Sequence, residues 1–133
     1  AGLNYSLDDL KKINIEAIEL IADVREEKGD LPTILCGQVG PRGDGYEPSD
    51  LMSAEEAEHY HAEQIKVYSK TEADLISAST ICYAEKAAGV VRAAHRYDMP
   101  VSISFTVETD GRLPTGMSLK EAIEKVDTQR TVS

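Results

Sequence analysis

Three stretches of this sequence carry side chains suited to chemistry and stand where the chemistry of alternating strands and helices collects, at the strand ends: Gln38 to Arg42, Ser79 to Tyr83 and Thr106 to Asp110. The first lies in a glycine-containing run, Gly37-Gln-Val-Gly40-Pro-Arg-Gly43-Asp-Gly45. It matches neither a Walker phosphate loop nor a dinucleotide fingerprint, and Pro41 with Asp44 and Glu47 opposes a phosphate cradle. The run reads as a tight turn shaping a pocket rim, with Asp44 and Glu47 available to line a site. Arg42-Gly43-Asp44 spells an integrin-type tripeptide, an accidental match in an acidic chain without a secretion signal.

The other reactive side chains are sparse. His59 and His61 stand two apart on a predicted helix, roughly 200° around its axis, so they cannot grip one metal ion as an i, i+4 pair can. His61 shares a stripe with Ala57, Gln64, Ile65 and Tyr68 and reads as a packed histidine; His59 and His95 read as surface residues. Cys36 and Cys82 fall on or just after adjacent predicted strands. That leaves room for a shared thiol site, although neither belongs to a Cys-x-x-Cys pair and structural free thiols are the simpler reading. Ser102, Ser104 and Thr106 form a hydroxyl stripe where a barrel interior ordinarily carries Val, Ile and Leu. Such a stripe either leaves space and hydrogen bonds for a ligand or lets a crowded sheet close.

The elements that position these groups follow from period and punctuation. Ser6 with Asp9 caps a helix running to about Lys28 through Leu7, Leu10, Ile13, Ala17, Ile18, Ile21 and Val24, and Gly29 and Pro32 end it. Thr33 to Val39 reads as a buried strand, Arg42 to Asp50 as a loop, and Ser53 with Glu56 as the capping box of a helix reaching about Lys70. Ala73 to Ser79 reads as a second strand and Ala84 to Tyr97 as an alanine-rich helix. Val101 to Val107 alternates as a third strand. Ser118 with Glu121 opens a last helix ending near Asp127, and 128–133 is a tail without periodicity. The order α-β-α-β-α-β-α predicts an α/β chain of parallel βαβ units, a slice of something larger.

The 133 residues, 41% hydrophobic, suit one domain and one core. With 24 acids against 14 bases and a formal net charge of −10, the average surface repels nucleic acid and anionic membrane. Nine acids against three bases in 41–75 read as a solvated helix face plus a polar loop. No apolar stretch approaches the ~20 residues of a membrane span, and Ala1 to Ser6 lacks a leader pattern, so a cytoplasmic location is expected.

Four segments together resemble the homocysteine S-methyltransferase family: Cys36-Gly-Gln-Val-Gly-Pro-Arg-Gly-Asp-Gly-Tyr46; Ser53-Ala-Glu-Glu-Ala-Glu-His-Tyr-His-Ala-Glu-Gln64; Ala73-Asp-Leu-Ile76 with Glu85-Lys-Ala87; and Ile103-Ser-Phe-Thr106 through Gly111-Arg-Leu-Pro-Thr-Gly-Met-Ser-Leu119. The resemblance implies a partial TIM (βα)8 barrel over 1–127, equivalent to strands three to five. It implies methyl transfer to the homocysteine thiol, a small-molecule partner, giving methionine. It also places Gln38, Ser79, Thr80, Thr106 and Glu108 on the substrate side of the strand ends. The family commonly has a Glu-Thr pair after strand four, whose carboxylate receives the amino acid's ammonium group; at that place this sequence has Ser79-Thr80, without the carboxylate. The family's zinc is held by three cysteines after strand six and near strand eight, with which neither Cys36 nor Cys82 aligns. No cofactor is therefore expected in this chain, although zinc is expected in a complete barrel. The competing expectation is a non-catalytic α/β domain acting through self-association, as a homo-oligomer, or as a subunit.

Overall fold

The computed structural model describes residues 5–29 and 31–131. Part of the N-terminal stretch read for a leader, Ala1 to Asn4, lies outside them, as do the tail residues Val132 and Ser133. The elements are α1 (Leu7–Lys28), β1 (Cys36–Val39), α2 (Ala54–Tyr68), β2 (Leu75–Ile81), α3 (Ala84–Arg96), β3 (Val101–Phe105) and α4 (Leu119–Asp127), followed by a 3-10 turn over Thr128–Thr131. The strands form one parallel sheet in the order β1-β2-β3. This is the α/β architecture of consecutive βαβ units that the alternation predicts.

Register fixes two unlike faces. Gln38 pairs with Ser77 and Ser77 with Ser102, while Val39 pairs with Ala78 and Ala78 with Ile103. Since paired residues of a parallel ladder share a face, the Val39-Ala78-Ile103 side meets the helices and the Gln38-Ser77-Ser102 side is the open one. The core lies wholly on the helix side, where Ile65, Ile76, Ala87, Val90 and Ala94 are buried.

Boundaries depart from the periodic reading for local reasons. β1 begins at Cys36, not Thr33, because the N–H of Leu35 is taken by Asp74 Oδ2 (2.7 Å) while the N–H of Asp74 returns to the Leu35 carbonyl (2.8 Å). That bracket replaces ladder pairing and leaves Thr33 and Ile34 exposed. β2 is shifted two residues onward, to Leu75–Ile81, and its ladder to β3 is irregular between Ala78 and Ile81. β3 stops at Phe105, although the Thr106 N–H still donates to the Ile81 carbonyl (2.9 Å). The broad apolar stripe expected to pack on α1 is largely outward: Ile18 is buried, beside Asn14 and Ala22, whereas Leu7, Ile13, Ile21 and Val24 are exposed.

Gly89 governs the helix layer. A Cβ built there would lie 2.5 Å from Ala57 Cβ and 2.6 Å from both the Ala54 carbonyl oxygen and the Glu58 nitrogen. Two of the three obstacles are backbone, so relief requires α2 and α3 to separate. Gly89→Ala gains about 1 kcal/mol of helix propensity and loses more through overpacking. A net destabilisation of about 2 kcal/mol is expected in urea unfolding, with the midpoint lowered.

Candidate functional site at the strand ends

Parallel right-handed crossovers bring all strand carboxyl ends to one side, and the loop 40–52 is folded across the ends of β1 and β2. Four side chains hold it. The Thr106 hydroxyl donates to the Gly45 carbonyl (3.0 Å), Lys86 Nζ donates to the Arg42 carbonyl (3.3 Å), the Cys82 thiol faces the Asp44 carbonyl (3.9 Å), and the Tyr83 hydroxyl accepts from the Met52 N–H (3.0 Å). Gly45 is required at its position, since a Cβ there would stand 2.9 Å from the Thr80 Cβ. Thr80 itself adopts φ 55, a costly conformation for a β-branched residue, and donates its hydroxyl to the Ser79 carbonyl (2.7 Å).

On the open face, Gln38 Nε2 donates to Ser79 Oγ (2.8 Å), joining β1 to β2 directly. Ser102 and Ser104 continue this polar wall and are exposed. Thr106 leaves their stripe at the end of β3 and turns to Gly45. Gln38 with Ser79, and Thr80 with Thr106 through Gly45, are thus gathered at one end of the sheet. Glu108 stands apart in an exposed turn, where its backbone bonds with Arg112 and Gly111. His59 lies on the outer helical surface beside Arg92 and Arg96, and His95 is exposed in the last turn of α3, away from the strand carboxyl ends. The Asp44 carboxylate accepts from the N–H groups of Tyr46 (2.7 Å) and Glu47 (3.2 Å) and is held below the usual carboxylate range by them.

The structure does not form a shared thiol site. Both cysteines are free, but Cys36 is exposed opposite Leu75 at the start of β2, and Cys82 is buried beyond its end, roughly 20 Å along the strand.

Sequence reasoning passed over Lys86, which is 1% exposed in the first turn of α3. Its spacing to Val90 and Ala93 marks it as a core position, a signal readable in advance. Its ammonium lies 4.7 Å from the centre of the Tyr83 ring, and burial first, then the Arg42 charge, push its pKa down. His61, packed as expected and 2% exposed, has no hydrogen-bond partner at Nε2 among the described residues. Burial, with the Lys86 charge second, lowers it to about 4.

The family model for homocysteine S-methyltransferase matches residues 2–133. The chain belongs to the homocysteine S-methyltransferase family. Its fold is also that of the homocysteine methyltransferase MmuM from Escherichia coli. The apo form superimposes with a TM-score of 0.80 at 20% identity, over 97% of this chain and 49% of that one. The metallated form gives 0.83 at 18% identity, over 94% and 48%. The chain therefore spans about half the length of these structures, as part of a TIM barrel. No curated protein matches the sequence.

The zinc implied by homocysteine S-methyltransferase membership does not fit the residues here. Among the described residues no group of three or more His, Cys, Asp or Glu side chains converges to hold a metal ion. No step is assigned to zinc on this chain.

His61 provides a pH test of the helix layer. Its folded pKa lies below the unfolded value, so the unfolded state binds the extra proton. Stability is complete above pH ~6.5 and falls as the pH drops toward about 4. The loss approaches about 3 kcal/mol at the acid end, and the His61→Leu variant is expected to lack this component of the slope in urea melts taken across that range.

Proposed function

We propose that this chain is the central wall of a cytoplasmic homocysteine S-methyltransferase barrel and serves methyl transfer to the homocysteine thiol, a step of methionine biosynthesis. The observation that carries the reading is the family match over residues 2–133. It is supported by the gathering of Gln38, Ser79, Thr80 and Thr106 at one end of a parallel sheet. In the reaction the thiol gives up its proton, its sulfur attacks the donor methyl, and a new sulfur–carbon bond replaces the one to the donor. The chain's part is to bind and orient: Gln38 and Ser79 offer neutral hydrogen-bonding groups on the open face, and Thr80 and Thr106 fix the rim at Gly45. Without the family's three-cysteine zinc site the chain alone is expected to bind no zinc stoichiometrically and to transfer no methyl group from S-methylmethionine to homocysteine. Metal analysis and a methionine-formation assay check this; tight one-to-one zinc lost on Cys36→Ser or Cys82→Ser would overturn it.

A second reading, action through self-association or as a subunit, is favoured by one observation. An apolar groove of about 360 Å³ lies between β3 and α4, lined by Val101, Ile103, Phe105, Leu119 and Ile123, and β3 has no second strand neighbour among the described residues. Unpaired edges beside apolar surface recruit other chains. Sedimentation equilibrium is expected to show species heavier than the 14.5 kDa chain; one monomeric species with a cooperative melt would refute the reading.

A further inference from the structure

We infer that the groove between α1 and α2 is a binding site for a single-chain amphiphilic anion, a medium-chain fatty carboxylate, with its headgroup among Lys11, Lys66 and Lys70. The first observation is charge. In a chain of net charge −10, three of the eight lysines line one stretch of this groove, of about 350 Å³, where among the described residues they face one acid, Glu63. Among the described residues the ammonium groups of Lys66 and Lys70 have neither an ion-pair partner nor a hydrogen-bond acceptor, and Lys11 has the exposed Asp8 at 3.2 Å. Cations gathered in this way on an acidic molecule create a local field complementary to an anion.

The second observation is the floor. Beneath the lysines lie the exposed Ile15 and the buried Val67. The groove continues past Ile15 and Lys70, which border both stretches, into a second of about 390 Å³ over the buried Ile18 and Ala22. From Lys11 to Ala22 the helix advances about 16 Å. Glu19 and Glu72 stand at the far end, and Glu72 is held by Arg25, so the near end is the cationic one. That polarity orients the ligand: carboxylate at Lys11 and Lys66, hydrocarbon along Ile15, Ile18 and Ala22, and the aliphatic stem of Lys70 beside the chain. Width separates the occupants. A partner helix about 10 Å across encloses on the order of 1,000 Å³ over such a length and cannot enter stretches of this size, whereas an alkyl chain about 4 Å across can. An inorganic anion would meet the lysines and leave the isoleucine floor in water. Because the groove belongs to the helix layer and Gln38 and Ser79 to the open face, the site is separate from the proposed thiol site and does not rest on that reading.

The test is a titration of the whole chain with decanoate below its micellar concentration, read by NMR of the Ile15, Ile18 and Val67 methyl groups. Acetate supplies the head without the tail, and decyltrimethylammonium the tail with the opposite charge. Saturable shifts with decanoate alone are expected, weakening as salt is added. The double variant Lys66→Gln, Lys70→Gln should bind about tenfold more weakly or less tightly still, and Lys66→Arg with Lys70→Arg should largely retain affinity. Both lysines are exposed, so these variants are expected to melt as the wild-type chain does. Equal effects of decanoate and either control would overturn the proposal, as would unchanged affinity in the glutamine variant or decanoate shifts confined to Val101 and Ile103 in the other groove. The same methyl shifts on raising protein concentration without decanoate would assign the groove to a second copy of the chain and overturn it too. Methyl transfer is not read in this experiment, so its outcome is independent of the proposed function.

Discussion

The close approach of α2 and α3 at Gly89 sets the spacing on which the rest of the molecule depends. Adjacent strands lie about 4.8 Å apart, whereas a helix with its side chains is about 10 Å wide, so helices laid side by side over a parallel sheet are crowded. The sequence relieves the crowding with small residues. Ala84, Ala87, Ala88, Ala93 and Ala94 are all buried on α3, and Gly89 removes the last side chain where the two backbones meet. Gly37 does the same on the sheet, where a Cβ would stand 2.6 Å from the Tyr68 ring. With the ring drawn in, the Tyr68 hydroxyl reaches Asn14 Oδ1 (2.6 Å) and the Gln38 carbonyl oxygen (3.0 Å), and Gln64 Nε2 donates to the same Asn14 oxygen (2.9 Å). That one buried phenol ties α1, α2 and β1 together.

Close packing of the helix layer also decides where polar groups can go. Three helices begin at serines, Ser6 and Ser53 exposed and Ser118 half-buried, with room for a capping box. α3 begins two residues after β2 and is covered at once by the 40–52 loop, so its start has side-chain neighbours in place of water or a cap. The loop gains its anchors from the same elements: Thr106 at the end of β3, Cys82 after β2 and Lys86 in α3 each address one of its carbonyls. Rim, helix start and strand ends form one connected polar structure, at the expense of a left-handed Thr80.

Element type and order were legible because each rests on a local rule that tertiary packing does not oppose. Capping boxes at Ser6, Ser53 and Ser118 and the alternation of Val101 to Phe105 need no distant partner to be recognised. Boundaries were less legible where a remote side chain intervenes, as Asp74 does at Leu35, or where a bulge resets the ladder, as at Ala78 to Ile81. Of the site, the gathering of Gln38, Ser79, Thr80 and Thr106 was legible through topology and family resemblance. The role of Gly45 as their meeting point was not, because a glycine in a loop gives no sign of which backbone or side chain approaches it. Lys86 was hidden by its charge: a lysine inside an apolar spacing is read as an exposed residue unless the spacing is given precedence.

The open face explains how such a unit remains well packed with one side of its sheet uncovered. Serines and a glutamine there satisfy one another or water, as the Gln38–Ser79 bond does, so exposing that face costs little apolar surface. The need for cover that the alternating strand implied is thereby confined to its other side, where Val101, Ile103 and Phe105 are half-buried and border the groove under α4. Cohesion and recognition are assigned to opposite faces of one sheet. A change in the polar wall alters what the strand ends can bind without opening the core, whereas a change in the small residues of α3 disturbs both, because the helix that closes the core also carries Lys86 to the rim.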